Sequence, residues 1–134
     1  MSQTPKTTIR IDLGNGVRLG PGKAQLLELI AEHGSIRAAG AAIGMSYRRA
    51  WLLGDEINRM FQEPSIFTRH GGKSGGGAGL TDFGQELLSR YRRMEEESRN
   101  SIQEDLDWLA ANTAPDFDVA GTTADTEDGA GDSA

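Results

Sequence analysis

A mostly α winged helix-turn-helix with a small β component is the fold class the sequence predicts, and three observations predict it. The short stretch "SIRAAGAAIG" (35–44), rich in small residues, runs straight into "SYRRAWLLGDEINRMF" (46–61), whose first turn is aromatic and basic. Two extended pieces then bracket a glycine run in "RHGGKSGGGAGLT" (69–81), and a long helix follows. A tight helix pair with a basic second helix, followed by a glycine-tipped strand pair, is the order of elements that places one helix in a DNA major groove.

The elements read in order as follows. Residues 9–19, "IRIDLGNGVRL", alternate apolar and polar around Gly14-Asn15-Gly16, which predicts a hairpin or two short N-terminal strands. "GPGKAQLLELIAEHG" sets Pro21 at a helix start and Gly34 just past its end, with Leu26, Leu27, Leu29 and Ile30 as the apolar stripe. Ser35 is the expected cap of the second helix, and Ala39 and Gly40 are small enough for a neighbouring helix to approach. Gly44 allows the chain to reverse. Ser46 then caps a third helix, with Ala50, Leu53, Ile57, Met60 and Phe61 as its buried stripe and Trp51 expected in the packing. Pieces at Ile66 to Arg69 and Ala78 to Leu80 predict a hairpin wing. Thr81 caps the long helix, whose stripe runs Phe83, Leu87, Tyr91 and Met94, then Ile102, Leu106 and Leu109.

Composition bounds the rest. The chain has 134 residues, no cysteine and a net charge of −6, so one domain with appendages is expected and thiolate chemistry is excluded. No secretory or membrane-spanning stretch is legible, which predicts a cytoplasmic location. The charge is segregated. Residues 1–102 hold all 14 Lys and Arg against 11 acids, whereas residues 103–134 hold 9 acids and no base. The expected organisation is a flexible N-terminus (1–8), a winged helix-turn-helix DNA-binding domain (9–95), a long helix (81–112) and a disordered acidic tail (113–134).

The glycine run invites a nucleotide reading, which its details reject. Gly72-Lys73-Ser74 matches the end of a phosphate-loop pattern, but Phe67 stands where its first glycine belongs, and Gly75-Gly76-Gly77 replace the helix that should follow. His33 and His70 lack partners at metal-ligand spacing, and no nucleophile is placed beside either. No metal, cofactor or small-molecule effector is therefore expected, and no enzymatic activity. The residues predicted to meet double-stranded DNA are Ser46, Tyr47, Arg48 and Arg49 on the recognition helix, with Arg69, His70, Lys73 and Ser74 on the wing. The alternative is a protein-interaction module built on the same scaffold without DNA binding.

"GPGKAQLLELIAEHGSIRAAGAAIGMSYRRAWLLGDEIN" followed by "GGKSGGGAGLTDFG" resembles the N-terminal DNA-binding domain of the ModE-type molybdate-responsive regulators, within the wider LysR-type winged helices. The resemblance covers roughly residues 20–95. It implies a homodimer on a palindromic operator, with the helix after Thr81 helping to pair subunits, and a link to molybdenum genes. Family members sense molybdate in C-terminal β-rich domains, for which the residues after the long helix leave no room, so sensing by this polypeptide alone is not expected.

Overall fold

A computed structural model describes residues 5–70 and 76–117. Among them the elements run β1 (Ile11–Gly14), β2 (Val17–Leu19), α1 (Pro21–His33), α2 (Ile36–Ala42), α3 (Tyr47–Met60), β3 (Ile66–Arg69), β4 (Gly77–Leu80), α4 (Asp82–Ser101) and α5 (Gln103–Asn112). Each strand pair is an antiparallel hairpin. This is the mostly helical winged helix-turn-helix with two small β units that the sequence predicts.

Helix α1 is the hub. Its Leu26, Leu27 and Ile30 are fully buried, and α2, α3, α4 and β4 all pack around it. Pro21 occupies the first turn, where its missing N–H has no helical partner to lose. Gly34 ends the helix at φ +77, a conformation glycine adopts without a Cβ penalty, and its N–H reaches the Ile30 carbonyl. The β1–β2 turn uses the same freedom at Gly14, Asn15 and Gly16, all with positive φ.

The α2–α3 crossing depends on small residues. Ala39 is fully buried, and a Cβ added to Gly40 would lie 2.8 Å from the Ala50 Cβ and 3.3 Å from the Met45 carbonyl oxygen. Ser35 caps α2 by accepting the Ala38 N–H at 3.0 Å. The two backbones therefore meet at a distance that larger side chains would prevent.

The C-terminal helix departs from the expectation of one helix over 81–112. It is broken at Ile102, where the backbone leaves helical geometry (φ −115, ψ 19). Ser101 turns its hydroxyl onto the Ser98 carbonyl at 3.0 Å, and the Ile102 N–H closes a short turn onto Arg99, competing with helix continuation. The first half of the predicted stripe is spent inside the chain. Phe83 packs on Phe61 with ring centroids 5.6 Å apart, Leu87 and Met94 are half-buried, and Tyr91 is fully buried.

Tyr91 also ties the N-terminal segment down, its hydroxyl donating to the Ile9 carbonyl at 2.6 Å. Burial, reinforced by the nearby Glu95 carboxylate, pushes its phenol up to about 12 from the ordinary 10.0. The native state thus favours the protonated, donating form. Its contribution is complete below pH 10 and disappears as pH rises through about 12. Urea midpoints should fall across that window for the wild type and stay flatter for Tyr91→Phe; parallel profiles would show that Tyr91 is not the titrating lock.

Candidate nucleic-acid interface

The first turn of α3 is built by its cap. Ser46 sits in extended backbone and accepts the Arg49 N–H on its hydroxyl oxygen at 3.1 Å, which satisfies one of the free donors of a helix start. Gly44, at φ +70, reverses the chain just before it. Tyr47, Arg48 and Arg49 consequently leave the helix at its positive dipole end, and all three are exposed. Among the described residues neither Arg48 nor Arg49 takes part in an ion pair, whereas Arg59, further along α3, is paired with Asp55 at 3.0 Å. Tyr47 is gripped from α2, where the Arg37 guanidinium carbon stands 4.2 Å from the ring centroid.

Trp51 corrects the sequence expectation. It is 45 % exposed rather than part of the packing. The core positions in this half of α3 belong to Ala50 and Gly54, because α2 presses on the first and the Ile66 side chain lies 3.4 Å from a Cβ placed on the second. The buried side of the helix thus carries small residues, and the indole is left outside. Leu53, Met60 and Phe61 are half-buried, and only Ala50 and Ile57 of the predicted stripe are fully so.

The wing is fastened at its base to both helices. Ala78 donates its N–H to the Gly34 carbonyl at 2.8 Å, which holds β4 to the α1–α2 turn. Asn58 on α3 accepts the Ser65 and Ile66 N–H groups at 2.8 Å each and donates to the Ile66 carbonyl at 3.0 Å. Sequence reasoning missed Asn58. Its signal was an amide of poor helix propensity beside the buried Ile57, a position that needs a hydrogen-bonding reason.

On the wing itself Arg69 lies opposite Gly77 and Phe67 opposite Gly79. A Cβ on Gly79 would stand 2.6 Å from the Phe67 ring, so the ring lies across the glycine, and the Arg69 guanidinium carbon is 5.4 Å from that ring's centroid. Arg69 and His70 are exposed at the end of β3. Lys73 and Ser74 lie outside the described residues. No hydrogen bond or ion pair links the first turn of α3 to β3 or β4 among the described residues, so the two basic groups share a scaffold and not a contact.

Among the described residues no helix is long and apolar enough to cross a membrane. No protein-family model matches the chain. It is 35 % identical over 92 residues to the molybdenum transport protein ModE of Azotobacter vinelandii, an alignment covering 69 % of this chain and 34 % of that one. It is 31 % identical over 112 residues to the transcriptional regulator ModE of Haemophilus influenzae, covering 79 % and 44 % respectively. With the DNA-binding transcriptional dual regulator ModE of Escherichia coli it shares 39 % identity over 71 residues, covering 53 % and 27 %. The chain thus spans less than half the length of these curated relatives.

Proposed function

We propose that this chain, a homologue of the ModE-type regulators, is a dimeric transcriptional regulator linked to molybdenum metabolism that binds duplex DNA and catalyses no reaction. The first turn of α3 enters the major groove, and the wing, with Arg69, His70, Lys73 and Ser74, meets the flanking backbone. The observation that carries this reading is a pair of exposed arginines, without an ion pair among the described residues, at the N-terminus of a capped helix. A guanidinium pair there suits guanine edges and phosphates, both of which are acceptors.

Selecting bound duplexes from a random pool with the purified protein tests it. Recovery of a palindrome with half-sites about one helical turn apart is the expected result. A pool that stays random after repeated selection at low salt rejects sequence-specific binding.

The dimer is proposed to form across the C-terminal end of the molecule. Tyr91 and its neighbours are already buried within the chain, but Trp108 is 64 % and Leu109 54 % exposed on α5, and Ile102, at the break between α4 and α5, is also exposed. Large apolar groups exposed on one terminal helix favour a protein surface over water. In sedimentation equilibrium, Trp108→Ala with Leu109→Ala should weaken self-association by about 30-fold or more, as loss of an interface hot spot does. An unchanged association constant would place the interface elsewhere.

A further inference from the structure

We propose that Tyr47, Trp51 and Leu52 form an apolar strip that reads the 5-methyl groups of thymines in the major groove. The inference rests on the DNA-binding reading above and deepens it, by naming the base chemistry the recognition helix selects.

The strip stands out because the solvent face of α3 is not polar where it should be. Tyr47 is 44 %, Trp51 45 % and Leu52 48 % exposed. No hydrogen bond or ring contact holds the Trp51 indole among the described residues. At 100° per residue, Tyr47 and Trp51 form one row along the helix and Arg48 and Leu52 the adjoining row. Aromatic and aliphatic surface therefore runs beside the arginines over the first two turns. Arg37 packs its guanidinium on the Tyr47 ring and so fixes the strip's N-terminal end. The acids on this side begin one turn later, and both are occupied: Asp55 by Arg59 and Glu56 by Lys23, each at 3.0 Å.

The occupant follows from this chemistry. An apolar strip bordered by Arg37, Arg48 and Arg49, with the adjoining α3 acids Asp55 and Glu56 already in ion pairs, fits a surface that is anionic at its rims and apolar within. The major groove has phosphates along both rims and is wide enough for a helix, and the thymine methyl is the apolar group it displays. Trp and Leu side chains beside guanidinium donors would favour half-sites in which thymine neighbours a guanine. A protein partner with an acidic rim is the competing occupant, and it predicts no dependence on the base methyl.

Replacing thymine by deoxyuridine in a selected duplex removes the methyl and leaves every base-pair hydrogen bond in place. Wild-type affinity is expected to fall roughly fourfold for each contacted methyl, the equivalent of about one buried carbon. Trp51→Ala with Leu52→Ala should bind the thymine and deoxyuridine duplexes alike, with circular dichroism and urea midpoint confirming the fold. Equal wild-type affinity for the two duplexes overturns the strip while leaving DNA binding intact. Binding to no duplex at all overturns both readings. A variant that loses affinity yet keeps the full methyl preference assigns Trp51 and Leu52 a merely structural role and also overturns the proposal.

Discussion

Gly84→Ala should cost about 3–5 kcal/mol of folding stability, in the range of the most damaging core substitutions. A Cβ at this position would lie 2.1 Å from the Ser65 carbonyl oxygen, 2.9 Å from its carbonyl carbon and 3.1 Å from its Cα. All three are backbone atoms, so no side-chain rotation relieves the clash. The same approach lets Thr81 donate its N–H to the Ser65 carbonyl at 3.0 Å and its hydroxyl to the Pro64 carbonyl at 2.7 Å, while the Thr81 hydroxyl oxygen accepts the Gly84 N–H at 3.0 Å. Forcing α4 outward breaks these bonds and pulls on the strand that Asn58 holds to α3. Gly22→Ala is the control: nothing lies within 4 Å of a Cβ there, and the residue is helical. That change should be neutral or stabilising by up to about 1 kcal/mol. Urea denaturation of the two variants measures the contrast, and equal midpoints would mean that α4 does not approach Ser65 as described.

Which features the sequence announced, and which it hid, divides along the range of the interactions. Ser35, Ser46 and Thr81 were legible as caps because a cap is a bond between residues three apart, and each bond is present. Gly34 and Gly44 were legible because a chain reversal demands positive φ locally. Gly40 was readable from its neighbours, a run of alanines that only a close helix crossing explains. Gly84 was not, since the atom that forbids a Cβ belongs to Ser65 in another element. The Tyr91 bond to Ile9 joins residues 82 apart, and no pattern in either segment indicates the other. Trp51 was misjudged for a related reason. Size suggested burial, but the side of α3 that meets α2 and Ile66 is occupied by Ala50 and Gly54, which leaves Trp51 on the outer side. The exposure of Tyr47, Arg48 and Arg49 was therefore legible in the first turn of α3, whereas that of Trp51 was not.

The charges give the second large effect. Replacing both Arg48 and Arg49 by alanine should lower affinity for a selected operator by at least about 30-fold, taking about 1 kcal/mol or more for each guanidinium that reads a base or clamps a phosphate. Stability should move by no more than about 0.5 kcal/mol, because both side chains are exposed and form no ion pair among the described residues. Arg59 lies on the same helix and its charge is already satisfied by Asp55 at 3.0 Å, so Arg59→Ala should leave DNA affinity nearly unchanged. The comparison separates a general loss of positive charge from loss of two specific donors, since it sets uncommitted cations against a committed one. Fluorescence anisotropy across a salt series adds a further distinction. If both arginines meet phosphates, the slope of log affinity against log salt should fall by roughly 1.8; if they meet bases, the slope holds and discrimination between operator and random duplex collapses instead. Neither change in a protein that still binds its operator would remove the first turn of α3 from the interface and leave the wing or another basic surface to carry the contact.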